Sequence, residues 1–183
     1  VLAIPLLTGP SVDGVSRWVP LGPIAIHSGM LAIPLLTVLA SRSPRHAGAI
    51  LLAALGLVVL QPDPASALAI ACSAAALIRR RSDWMLIVIA GIALLAAWSL
   101  AQDDALQPVR FVEGVLQQAA AASQVSGAAL AAAWATGAVL LALAVPGAPG
   151  RALAASLVGF AAASLLGPYP AITISIQSDR RRI

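Results

Sequence analysis

The 183-residue sequence has no lysine, one cysteine and little charge of either sign, with 10% of residues charged against 60% hydrophobic. Aromatic residues are scarce as well, at 4%. Each shortage excludes something. A soluble domain is about half apolar and about a quarter charged, so this composition falls outside that class. The single cysteine, Cys72, has no intrachain disulfide partner and reads as a small residue within an apolar run. His27 and His46 stand apart, and no Cys/His cluster has ligand spacing, so zinc chemistry lacks support. There is no Gly-x-Ser-x-Gly elbow and no Gly-rich loop ending in Gly-Lys-Ser/Thr, which removes the sequence basis for two large enzyme classes.

What remains is hydrocarbon with punctuation. Mean hydropathy is +0.94, and the formal charge of +4 comes from eleven arginines set against seven acids. The arginines flank apolar runs (Arg42 and Arg45; Arg79–Arg81; Arg180–Arg182), which is how membrane topology is encoded, so nucleic acid is not an expected partner. A spanning helix needs about 20 apolar residues. Leu21–Ala40 qualifies if kinked at Pro34. Ala47–Gln61 and Ala65–Ile78 form a pair joined by a Pro62/Pro64 turn. Trp84–Ala101, Val125–Val145 and Ala152–Gly167 complete the set, and Val1–Thr8 adds a stub.

The expectation is one all-α integral membrane domain over 1–183. It is a polytopic helix bundle with about six spans plus a partial N-terminal one, an outer loop at 102–124 and a basic tail at 178–183. The opening Val1-Leu2-Ala3-Ile4-Pro5 lacks both an initiator Met and a basic n-region. It reads as the last turns of an apolar helix, so the chain is expected to be a fragment of a larger bundle.

Short basic loops stay cytoplasmic, which puts Ser41–His46, Arg79–Asp83 and Arg151 inside. The loops holding Asp13, Asp63, and Asp103, Asp104 and Glu113 then face outward. The tail breaks this alternation, because Ala171–Gln177 is too short to cross back before Arg180–Arg182. Ala119–Ala122 is expected as an interfacial helix, and Gly127, Ala131, Ala135 and Ala138 as a small-residue packing stripe.

Two stretches carry candidate chemistry. In the first, Val12–Pro23, Arg17 and Trp18 stand where an outer loop meets a helix, suited to an anionic head group and an aromatic anchor. The second is Leu60-Gln61-Pro62-Asp63-Pro64-Ala65-Ser66-Ala67, where an acid sits between two apolar runs. An intramembrane acid is a functional candidate by default, and Asp63 equally suits the N-cap of the next helix. His27 reads as a buried or interfacial polar residue.

Gly14-Val-Ser-Arg17-Trp18-x-x-Leu21-Gly22-Pro23, followed by Leu60-Gln61-Pro62-Asp63-x-x-Ser66-Ala67, resembles the paired motifs of the SEDS family, the FtsW- and RodA-type proteins of bacterial division and cell shape. The resemblance implies a multi-pass protein of the bacterial inner (plasma) membrane that polymerises lipid-linked peptidoglycan precursor as a glycosyltransferase. It also implies membrane lipids and a penicillin-binding-protein transpeptidase as partners. Where the family carries a Gln-Pro-Ser-Glu-x-x-Lys run, this chain has His27-Ser28-Gly29-Met30-Leu31-Ala32-Ile33. The family's large outer loop shrinks to 102–124.

Glycosyl transfer from a diphosphate needs a base at the acceptor and cationic help at the leaving group. Asp63, Asp103, Asp104 and Glu113 are the candidate catalytic acids; Arg17, Trp18, Gln61, Ser66 and Arg110 are the candidate substrate contacts. No resident cofactor or metal is expected, a divalent cation at the diphosphate being the one alternative. Two further readings stay open: a non-enzymatic scaffold that keeps the membrane frame, and a small transporter component built around Asp63.

Overall fold

A computed structural model describes residues 2–8, 18–21, 24–61, 63–77, 91, 93 and 115–166. Its elements, in chain order, are α1 (Ile4–Thr8), β1 (Trp18–Leu21), β2 (Ile24–His27), α2 (Ser28–Arg42), α3 (Ala47–Leu60), α4 (Pro64–Leu77), α5 (Val115–Ala122), α6 (Gln124–Ala144) and α7 (Ala148–Leu166). Among the described residues the class is all-α apart from one small hairpin.

The helices follow the punctuation. α3, α4 and α6 contain no charged residue, and all three are rich in Ala and Leu. α4 and α6 each start at a signal. Asp63 and Pro64 open α4, Pro occupying the first helical position where its missing N–H costs nothing. Ser123 caps α6, its hydroxyl accepting the N–H groups of Val125 and Ser126. The expected interfacial helix at Ala119–Ala122 is the end of α5.

The start of the first long run differs from expectation. Leu21–Ala40 does not begin as helix: β1 and β2 pair antiparallel with Trp18 opposite His27 and Leu21 opposite Ile24, and α2 starts only at Ser28. Val19, Ile24 and Ile26 are β-branched and fit an extended chain better than a helix. Pro34 is carried inside α2.

The lengths also differ. α2, α3 and α4 have 15, 14 and 14 residues, which at the helical rise is about 21–23 Å against a hydrocarbon core of about 30 Å. Among the described residues, two helices are long and apolar enough to cross a membrane: Gln124–Ala144, with mean hydropathy 1.8, and Ala148–Leu165, with 1.2. The six-span count is therefore not reached here. The basic loop after α2 and the turn at Gln61 ahead of Pro64 cut the first runs short, and Trp84–Ala101 lies, but for Gly91 and Ala93, outside the described residues. So do the tail 178–183 and loop residues 102–114.

Only 11% of the apolar window of α6 is buried, and Val125, Val139, Leu140 and Leu143 are exposed along it. A soluble core helix would bury that face, whereas a lipid-facing one would not. Membrane association follows from this length, composition and exposure.

The helices run back and forth. The start of α2 meets the end of α3 through Ser28 and Gln61, and Thr37 of α2 meets Ser73 of α4. Ala152 of α7 lies at Ser73, and Gly159 lies at Ala69. α3 is therefore antiparallel to α2, α4 parallel to it, and α7 antiparallel to α4. Ile33, Leu51, Leu55, Val58 and Ile70 form the buried centre. At Gly159 two helix backbones come close together, and a Cβ there would stand 2.5 Å from the Ala69 Cα. Small residues do bring helices together here. In the expected stripe Gly127 and Ala138 are buried, but Ala131 and Ala135 are exposed.

This antiparallel order has an electrostatic consequence. Arg42, Arg45 and Arg151 stand at one end of the bundle, with the α2–α3 and α6–α7 connections. Asp63, the hairpin and α5 stand at the other. The described charges are sorted by end.

Candidate functional site

The polar residues of the Asp63 end converge on the start of α4. Asp63 is 1% exposed and its Oδ1 accepts the Ser66 N–H at 3.1 Å, so the carboxylate is the N-cap expected from its position before Pro64. The second oxygen, Oδ2, faces His27 Nε2 at 3.5 Å across 36 positions of sequence. Oδ2 makes no hydrogen bond among the described residues, and neither does the buried Ser66 hydroxyl. A buried polar atom in that condition costs about 1–3 kcal/mol.

His27 ends β2 and caps α2. Its Nδ1 accepts the Met30 N–H at 3.4 Å, so the neutral ring carries its proton on Nε2, pointing at Asp63; this tautomer is assigned from the bonding pattern. The Trp18 ring meets the same imidazole edge-on, with centroids 5.1 Å apart and planes at 89°, as their opposed register in the hairpin requires. Three side chains from three elements thus form one line: Asp63, His27, Trp18.

Gln61 completes the junction. It is fully buried, its Oε1 accepting from Ser28 Oγ at 3.4 Å and its Nε2 donating to the Leu2 carbonyl. A residue without a side chain lets the parts close up. A Cβ on Gly29 would overlap Ser66 Oγ and stand 3.0 Å from Asp63 Oδ2.

Of the residues singled out from sequence, Trp18, Gln61, Asp63 and Ser66 come together here; Trp18 is half-buried and the other three are buried. Arg17, Asp103, Asp104, Arg110 and Glu113 lie outside the described residues. His27 was legible only as a buried or interfacial polar residue, because its partner is remote in sequence. Gly29 carried no signal. The surface depressions at Ser43–His46 and between Leu2, Ala32, Leu35 and Leu57 are lined by neither His27 nor Asp63. Among the described residues no group of three His, Cys, Asp or Glu could hold a metal ion.

The arrangement can hold a hairpin on the bundle, fix a ring orientation and keep a carboxylate out of water. Sealed and committed to a helix cap, Asp63 is better placed to position neighbours than to meet a substrate. No protein-family model, curated protein or solved structure matches this chain.

Proposed function

We propose that the chain is a multi-pass protein of the bacterial inner membrane, SEDS-like, acting on lipid-linked cell-wall precursor at its Asp63 end. One observation carries the reading: the two motif-bearing stretches, separate in sequence, meet in space through Trp18, His27 and Asp63. The separation of arginines from Asp63 along the bundle agrees with the basic end lying in the cytoplasm. In this reading Gln61, Asp63 and Ser66 hold the frame. Asp103, Asp104 or Glu113 supplies the base for glycosyl transfer, and Arg17 and Arg110 draw the diphosphate. α2–α4, shorter than the hydrocarbon core, are accommodated by local thinning and by arginines reaching along the interface.

A second reading is favoured by the burial of Asp63, Gln61 and Ser66: a non-enzymatic relative that keeps the frame and binds a cell-wall partner.

Sidedness comes first. With Cys72→Ala removing the native thiol, Gln124→Cys should react with an impermeant maleimide in whole cells and Pro44→Cys only after lysis. The reverse pattern rejects the outward Asp63 end. Activity is tested with the complete gene in cells depleted of their own SEDS polymerase. Restored growth is the outcome expected of a polymerase. An inserted protein that binds lipid-linked disaccharide diphosphate in liposomes without restoring growth fits the scaffold. Neither growth nor binding removes both.

A further inference from the structure

We infer that Asp63 and His27 are positioning residues for Trp18, holding its indole as an aromatic platform for the sugar of a lipid-linked glycosyl diphosphate. The substrate half of this inference rests on the proposed function; the positioning half does not. Trp18 is the half-buried member of a line whose other two members are buried. Its ring is held edge-on by His27 at 5.1 Å. The His27 ring is in turn held at Nδ1 by the Met30 N–H, and its Nε2 stands 3.5 Å from the facing Asp63 Oδ2, without a hydrogen bond between them.

A ring meant only to float at the lipid interface needs no such bracing. Tryptophan anchors work because an apolar body and a polar N–H tolerate many poses. Here a hairpin register, a helix cap and a buried carboxylate all set one pose. The carboxylate leaves Oδ2 free of hydrogen bonds among the described residues, with His27 Nε2 facing it at 3.5 Å. A fixed aromatic face suits the C–H face of a pyranose.

The experiment uses the full chain in liposomes, with Trp84, Trp98 and Trp134 replaced by Phe so that Trp18 alone emits. Asp63→Asn is the informative change: it keeps an oxygen to cap α4 but puts an amide N–H where the carboxylate oxygen faced His27 Nε2, so the electrostatic attraction at that nitrogen is replaced by repulsion. Trp18 emission should move to longer wavelength, and quenching by aqueous acrylamide should rise. His27→Ala should do the same. Unchanged emission in both folded variants overturns the positioning.

Binding of lipid-linked disaccharide diphosphate is then titrated against liposomes lacking it. Trp18→Ala should weaken it by about two- to tenfold, the span of one aromatic contact. Asp63→Asn should weaken it similarly, and the double variant no further. Normal binding by Trp18→Ala leaves an interface anchor only and overturns the platform. Absence of binding by the unaltered protein overturns the proposed function and the platform with it, while the emission result still decides the positioning.

Discussion

Two of the places where a glycine brings described helices together, Gly159 and Gly29, treat their polar atoms differently. At the α4–α7 seam Gly159 lies on the Ala69 backbone. The nearby Ser73 hydroxyl is fully occupied, donating toward the Ala69 carbonyl at 2.8 Å or the Ala152 carbonyl at 3.3 Å and accepting from Thr37. At the α2–α4 junction Gly29 lies on Ser66 and Asp63, where one carboxylate oxygen and one hydroxyl are buried without hydrogen bonds among the described residues. Satisfied polar groups in an apolar interior are structural. Unsatisfied ones keep a cost that packing alone would not select. The seam therefore spends its polar groups on assembly, while the junction keeps two buried polar atoms that assembly does not use.

The largest effect should come from closing the seam's gap. In Gly159→Ala the new Cβ meets backbone atoms of Ala69 and the Leu68 carbonyl, none of which can rotate away, so α4 and α7 must part. A loss of about 3 kcal/mol is expected, at the upper end for overpacking, read as the unfolding midpoint in detergent. Gly29→Ala meets mainly a hydroxyl, which can turn, so its cost should be smaller. Ser66→Ala in the same chain should recover part of it. If the two glycines cost the same and Ser66→Ala recovers nothing, the junction is as rigid as the seam and the contrast is lost.

Next in size is Asp63→Ala, which removes the α4 cap for about 1 kcal/mol together with the carboxylate oxygen that faces His27 Nε2 at 3.5 Å. Asp63→Asn should retain the cap and lose less. Equal losses for the two variants would show that capping contributes little.

How much of this was visible beforehand depends on the range of each interaction. The Asp63 cap was legible because donor and acceptor lie three residues apart with Pro64 between. The bounds of α3 and α6 were legible because charge and turn residues frame them. The hairpin was missed because Leu21, Ile24 and Ile26 continue the apolar run into α2, and hydropathy does not separate strand from helix in so short a run. The His27–Asp63 meeting was invisible for a different reason. It is made by the antiparallel return of α3, and no local pattern announces a partner 36 residues away. The Gly159 contact hid among many other small residues, whereas the stripe from Gly127 to Ala138 stood out by spacing and is buried only at its ends.

The smallest effect is also the most direct contrast between the regions. Ser73→Ala removes a hydroxyl that accepts from Thr37 and donates to main-chain carbonyls, a loss of about 0.6 kcal/mol if it behaves as interhelical bonds in membrane bundles do on average. Ser66→Ala removes a hydroxyl with no hydrogen bond among the described residues. Nothing is broken and a buried polar group is gone, so stability should hold or rise slightly. The two variants delete the same atom from the same helix, so the difference in volume cancels. A measured order of Ser73→Ala below wild type, with Ser66→Ala at or above it, supports the division of labour. If Ser66→Ala is the more damaging of the two, its hydroxyl holds a partner, and the junction belongs with the seam as architecture.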